Sequence, residues 1–439
     1  MKKLIGTVAV AALLASAAFA ELNMGAWVRT VVVPVAGNGE DILSGWTNSW
    51  GWGIRNARIG FNWTSDDGKV GMMYDIFGDG ASGFGSGDYR AGWYQPADWV
   101  KFMVGHIDNG YTMRSDLCFG SWNWLRPANW IFDDEGLTFN LGNADALQIE
   151  FFPVEGLQIL GRFAMPTDGG FQDAYKMFEQ STFAVGYTIG DIATIKAAWN
   201  GHGKRAYKTT TPAVAAGWYD AESRKTYGSL EDAFRDGVTL EDFENLEYRK
   251  AVAASYGDET KYLGDVQAAF DLTGVDNLFI TVGVKVSIAE SDYKDSLMGS
   301  FAFLKAALGV SYQITDNFKV SASYGMQTYA KVDSDNKKLP VHQFGIGIDV
   351  GLTDMLSLSA DFRGLIDGGS KIAGEKYDGA DPVFSFLVGL GWGFSSNGSL
   401  GIGFQGTTTG HGFNGEGAFE AAKDKAFCWA VPITFSYWF

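Results

Sequence analysis

Leu278-Phe279-Ile280-Thr281-Val282-Gly283-Val284-Lys285-Val286-Ser287 is the stretch whose reading decides the fold. Its even positions are all apolar and its odd positions are mostly small or polar. A helix turns by about 100° per residue and would scatter those positions around its circumference, so the period of two specifies a strand with two unlike faces. The next hairpin repeats the pattern. Leu304, Ala306, Leu308, Val310 and Tyr312 alternate with Lys305, Ala307, Gly309 and Ser311. Thr315-Asp316-Asn317 turns the chain, and Phe318, Val320, Ala322, Tyr324 and Met326 return against Lys319, Ser321, Ser323, Gly325 and Gln327.

Outward from these hairpins the same alternation predicts eighteen strands, near 22–33, 49–63, 69–77, 87–95, 99–107, 146–152, 157–165, 181–189, 192–200, 261–272, 277–288, 298–313, 318–330, 341–351, 355–365, 382–393, 398–406 and 425–439. Segment 136–142 reads as one more, which sets a range of sixteen to twenty. Short connections such as Ser65-Asp66-Asp67-Gly68, Pro153-Val154-Glu155-Gly156, Gly190-Asp191 and Leu352-Thr353-Asp354 have tight-turn compositions, in which Gly, Asn and Asp tolerate positive φ. They alternate with long polar connections. The expected fold is all-β, a transmembrane antiparallel up-and-down barrel with short periplasmic turns and long extracellular loops. An even strand number puts both termini on the periplasmic side.

The ends and the composition agree. Lys2 and Lys3, an apolar run from Leu4 to Leu14 and Ala18-Phe19-Ala20 read as a signal peptide over 1–20, leaving a single barrel domain over 21–439. No stretch of that remainder is apolar for the roughly 18 residues a membrane helix needs. Lipid offers no partner to an unpaired strand edge, so a membrane protein of this pattern must close on itself. The 58 Gly and 15% aromatic content suit small inward and aromatic outward positions. Trp63, Tyr312, Phe318, Tyr437 and Phe439 cluster at the predicted periplasmic rim, as a headgroup-level girdle requires. Loss of the signal peptide takes the formal charge from −17 to −19, which excludes nucleic-acid binding and is consistent with a modest preference for cations. Cys118 and Cys428 are the only cysteines; they provide no disulfide framework, though one bridge between them is compatible with export.

The chain ends Phe427-Cys428-Trp429-Ala430-Val431-Pro432-Ile433-Thr434-Phe435-Ser436-Tyr437-Trp438-Phe439, with a large apolar residue at every odd position. Here the sequence resembles the porins of diderm bacteria, whose last strand ends in Phe and is read by the barrel-assembly machinery. Phe439 and Tyr437 match the two aromatic positions of that signal, while Thr434 stands where it usually has Gly. The resemblance implies an outer-membrane location, contact with outer-membrane lipid, a homotrimer, and a third outer loop that folds into the lumen.

A channel works through the groups that line its water-filled lumen. The alternation predicts nine basic lining residues, Arg58, Arg90, Lys101, Arg162, Lys196, Lys285, Lys305, Lys319 and Arg363, and six acidic ones, Asp75, Glu150, Asp265, Asp271, Asp349 and Asp361. The third outer loop, 108–145, carries Trp122, Trp124, Arg126, Trp130, Asp133, Asp134 and Glu135, a set suited either to a constriction with sugar-stacking faces or to a packed lid. The fifth, 201–260, is too long for a plain connection. Thr239-Leu240-Glu241-Asp242, with Leu240, Phe243 and Leu246 at helical spacing, predicts a short helix there.

Other chemistry is weakly signalled. Gly401-Ile402-Gly403-Phe404-Gln405-Gly406 fits a dinucleotide pattern, but it falls inside a strand with no helix after it. No zinc-protease, paired-cysteine or phosphate-loop motif occurs, and Gly78-Asp79-Gly80 spells no complete calcium loop, so no metal or cofactor is expected. His106, His202, His342 and His411 are the only histidines. The sequence therefore predicts passive diffusion of small hydrophilic solutes, ions and sugars among them. Two rival readings remain: a surface adhesin acting through long loops, and a barrel hydrolase using a rim histidine.

Overall fold

The computed structural model describes residues 21–37, 42–47, 55–79, 83–108, 114–115, 139–165, 178–211, 217–220, 226–227, 246–249, 255–289, 302–329, 337–372, 374–379, 381–408 and 427–439. Its main strands are β1 (Glu21–Gly37), β2 (Arg55–Thr64), β3 (Val70–Asp79), β4 (Gly83–Ala97), β5 (Val100–Ile107), β6 (Ala144–Phe151), β7 (Leu157–Ala164), β8 (Thr182–Ile189) and β9 (Ala193–Thr211). They continue with β10 (Ser255–Val275), β11 (Leu278–Ala289), β12 (Ala302–Thr315), β13 (Phe318–Tyr329), β14 (Val341–Gly351), β15 (Leu356–Asp367), β16 (Val383–Ser395), β17 (Gly398–Thr407) and β18 (Cys428–Trp438). Together they form a closed 18-strand antiparallel barrel.

The seam is explicit. β18 runs antiparallel to β1 from Trp27↔Trp438 to Gly37↔Trp429, and Ala26 and Phe439 exchange both backbone hydrogen bonds at 2.9 Å. Tight turns join strands at one end of the barrel. The β10–β11 turn is made by Asp276 and Asn277, with Asn277 at φ 65°. Gly156 takes φ 78° before β7, where an added Cβ would lie 2.2 Å from the Thr188 carbonyl oxygen, so only glycine fits.

The chain divides into two compact units: Met1–Gly203 with Leu263–Ile288 and Gly299–Phe439, and Lys204–Tyr262 with Ala289–Met298. The second unit contains a three-stranded antiparallel sheet in which Gly217–Asp220 pairs with both Thr226–Tyr227 and Leu246–Arg249. Leu246, which the spacing assigned to a helix, starts a strand instead; Thr239, Leu240, Glu241, Asp242 and Phe243 lie outside the described residues. Of segment 136–142 the described residues, 139–142, do not belong to a barrel strand: among them Phe139–Asn140 pairs with Arg114–Ser115. Ile42–Thr47 is a strand the alternation did not reveal; it pairs with the far half of β1, beyond the stretch that β2 covers.

Candidate functional site

The register assigns every strand position to one of two faces. Thr281, Gln148 and Gln405 on the inner face are 0% exposed, whereas Ile346 and Val104 on the outer face are 59% and 50% exposed. Polar side chains are inside and large apolar ones outside around the ring, the reverse of a water-soluble protein.

One arc of the inner wall is filled by long side chains, many of them bonded to one another. Arg58 donates to Asp75 between β2 and β3. On β6 and β7, Gln148 Nε2 donates to Glu150 Oε1 at 2.6 Å, Gln158 Nε2 donates to Glu150 Oε2 at 3.2 Å, and Arg162 Nε donates to Gln148 Oε1 at 2.8 Å. Lys101 stands directly opposite Glu150. Further round, Asp271 accepts from Lys196 Nζ at 3.0 Å and Thr281 Oγ1 at 2.6 Å. Asp265 takes Lys285 Nζ at 2.9 Å, Ser287 Oγ at 2.6 Å and His202 Nε2 at 2.8 Å. Lys305 is paired in register with Lys285, Lys319 lies 3.5 Å from Asp349, and Arg363 lies 3.7 Å from Asp361.

A short piece of chain lies against this arc inside the barrel. Phe139 and Leu141 are buried with Leu160, Ala184, Ala198 and Ala269, all inner-face residues of β7 to β10. Gln267 Oε1 accepts from the Asn140 backbone N–H at 2.9 Å, and Arg162 Nη1 donates to the Gly142 carbonyl at 2.7 Å. The small alanines leave room for the two apolar side chains, and the buried amide and guanidinium hold the backbone that carries them.

On β15 to β18 the three inner rows nearest the tight-turn end carry small side chains. Ser359, Gly389 and Gly403 form one cross-strand row, Ser357, Gly391, Gly401 and Thr434 the next, and Gly393, Ser399 and Ser436 the last before the tight-turn end. A cavity of about 800 Å³ lies here, lined by Lys319, Asp349, Ser359, Gly391, Gly401 and Thr434 among others. Gly401 is the counterpart of Thr434, since a Cβ there would come 2.5 Å from the threonine hydroxyl.

Closure, tight turns at one end and a polar interior inside an apolar exterior are together decisive. This is a transmembrane β-barrel. Among the described residues no helix is long and apolar enough to cross a membrane. No family model and no curated protein matches the chain. Solved structures similar to this barrel include an anion-selective porin from Comamonas acidovorans, at 12% identity and TM-score 0.49, over 96% of this chain and 100% of that one. The outer membrane channel DcaP of Acinetobacter baumannii matches at 12% identity and TM-score 0.46, over 96% and 98%. A trimer form of OmpT, an outer membrane protein of Vibrio cholerae, matches at 10% identity and TM-score 0.42, over 96% and 99%.

Of the charges predicted to line the lumen of this barrel, all but Arg90 stand on the inner face. Arg90 is a correction: it pairs with Tyr74 and His106 in the outer-face row, and its guanidinium lies 4.0 Å from Asp145. The sequence misleads there because both faces of 89–94 carry aromatics. Trp93 turns inward instead, where its ring receives the Lys101 ammonium at 4.7 Å, and Gly71 opposite makes room for the indole. A Cβ on Gly71 would lie 2.4 Å from that ring. Gly71→Ala is therefore expected to lower folding stability by about 1–3 kcal/mol, read as a reduced urea midpoint in detergent.

Trp122, Trp124, Arg126, Trp130, Asp133, Asp134 and Glu135 lie outside the described residues, as do Cys118 and His411. Cys428 is a buried inner-face residue. His106 Nδ1 bonds Asp145 Oδ1 at 3.0 Å on the outer face, and His342 bonds the Tyr324 hydroxyl at 2.8 Å, also on the outer face. Among the described residues, neither histidine has a serine or cysteine nucleophile bonded to it, and no group of His, Cys, Asp and Glu is arranged to hold a metal. Sequence reasoning missed Gln148, Gln267, Asn140 and His202 as parts of the lumen network. Neutral inner-face residues give no charge signal, and the link between residues 140 and 267 crosses 127 positions of chain.

Proposed function

We propose that this chain is an outer-membrane channel through which small hydrophilic solutes diffuse passively. The observation that carries the reading is the two-sided lumen, in which one arc is occupied by ion pairs and docked chain while the rows of β15 to β18 nearest the tight-turn end are small and bound open space. Paired charges hold the wall without trapping a passing ion, and small residues leave width. Residues 1–20 serve as the export signal and 21–439 as the single barrel domain. Tyr437 and Phe439 present the terminal strand to the barrel-assembly machinery, and the barrel sits in outer-membrane lipid as a homotrimer.

With Arg90 removed, eight of the basic residues predicted to line the lumen and all six of the acidic ones remain on the inner face. The wall field is weakly positive and acts against the negative charge carried elsewhere in the chain. Purified protein in a planar bilayer is expected to give stepwise, ohmic conductance, and a salt gradient gives the charge preference from the reversal potential. A folded, inserted barrel that passes no current would overturn the reading.

A further inference from the structure

The outer face of β1 to β6 carries one row that does not suit a surface against lipid. Its members, paired strand to strand, are Met24, Phe61, Tyr74, Arg90, His106 and Asp145, and the last three are ionisable. The row lies inside the apolar band. On β5 the outer positions counted from the tight turn are Val100, Phe102, Val104 and His106, whereas the same count on β11 gives Leu278, Ile280, Val282, Val284, Val286 and Ile288. Two residues of a tilted strand rise about 5 Å, so an apolar band roughly 25 Å tall takes about five outer positions, and the fourth falls within it. Apolar residues also flank the row, Val104 and Leu147 on the tight-turn side and Ile59 and Ile76 on the loop side.

A charged side chain on the lipid face of a barrel is destabilising, most of all near the bilayer midplane. These groups only partly answer one another. His106 Nδ1 bonds Asp145 Oδ1 at 3.0 Å, while the Arg90 guanidinium stands 4.0 Å from the same carboxylate, beyond hydrogen-bond distance. Arg90 Nε is buried without a hydrogen-bond partner among the described residues, yet the Arg90 and Asp145 side chains as a whole are 37% and 45% exposed. Hydrocarbon offers such groups nothing. An anionic lipid headgroup does not suit them either, because the more exposed of the two charges is the carboxylate and the row lies within the hydrocarbon. A patch carrying both signs is complementary to a second copy of itself: where copies meet around a symmetry axis, the guanidinium of one can bond the carboxylate of the next.

We propose that the outer face around Arg90, His106 and Asp145 is the contact between copies of this chain, with exposed Gly92, one outer position nearer the tight turn, allowing close approach. The proposal rests on the homotrimer reading above and names the face that makes it.

The test places benzoylphenylalanine at position 104, one outer position from His106, and as a control at position 346 on β14, nine strands away round the eighteen-strand ring and so on its far side. After illumination in outer membranes, position 104 is expected to give an adduct of twice the chain's mass that contains peptides of this chain alone, and position 346 lipid adducts. Lipid adducts alone at 104, or an adduct with a different protein, overturn the proposal. The unsubstituted chain is cross-linked with glutaraldehyde in the same membranes. Monomer there removes the homotrimer and this contact with it, whereas trimer there with lipid adducts alone at 104 overturns only the face. Arg90→Leu combined with Asp145→Leu takes both charges out of the apolar band and leaves the ladder bonds. That barrel is expected to fold while its oligomer dissociation constant rises roughly tenfold, the equivalent of about one lost charge-assisted bond. Gly92→Trp adds bulk to the same face without an internal clash, since a Cβ there meets nothing nearer than the Gly71 carbonyl oxygen at 3.7 Å, and is expected to act likewise. An oligomer unchanged in both variants overturns the face.

Discussion

Deleting Tyr437, Trp438 and Phe439 is expected to abolish the closed barrel, so that refolding into detergent yields no compact, heat-sensitive band on unheated gels. These residues form the tight-turn end of the seam: Val28 pairs with Tyr437, Trp27 with Trp438, and Ala26 with Phe439 through two bonds. Without them β1 presents unpaired N–H and C=O groups at the membrane boundary, each costing several kcal/mol where water is excluded. Phe439→Ala keeps the backbone bonds and is expected to refold, with a loss limited to one exposed aromatic side chain. Refolding in detergent contains no assembly machinery, so a defect there belongs to closure and not to recognition. A truncated chain that folds as well as the native one would show that the seam is held elsewhere.

Asp265→Ala is expected to be the most damaging single substitution in the lumen. The carboxylate is 0% exposed and accepts from Lys285 and Ser287 on β11 and from His202 on β9. Removing one member of a buried charge pair typically costs about 3–5 kcal/mol, because the surviving charge has lost its compensation. The urea midpoint should fall accordingly. In channels that still fold, the reversal potential should move toward anions, since the inner face loses an acid while its bases remain. Asp265→Asn keeps an acceptor and should recover part of the stability without recovering the selectivity. A wild-type midpoint in Asp265→Ala would mean that the network around this carboxylate contributes little.

The barrel was legible because each strand sees two solvents. Val282 and Val284 alternate with Thr281 and Gly283, and each predicted strand overlaps one observed barrel strand. Where the two faces look alike, as at 89–94, the reading assigned Arg90 to the wrong side. The interaction of Trp93 with Lys101 and the space above Gly71 settled it, and neither leaves a trace in local alternation. Segment 136–142 misled for a related reason. Phe139 and Leu141 are apolar because they lie against alanines inside the barrel, an environment whose local pattern is the same as that of a strand facing lipid.

By itself the sequence determined that the chain alternates between hydrocarbon-facing and water-facing residues, that it turns tightly at one end, and that its last strand is built to meet another strand. Those are properties of neighbours in the chain, set by the two-residue pleat and by turn chemistry. Only the tertiary structure decided which charges neutralise which, where residues 139–142 lie, and which rows of the lumen carry small side chains. These depend on side chains brought together across the barrel: Arg162 meets the Gly142 carbonyl, Asp265 gathers three donors, and Gly401 yields space to Thr434. Contact across a closed ring follows from the pairing of all its strands at once, which no single segment encodes.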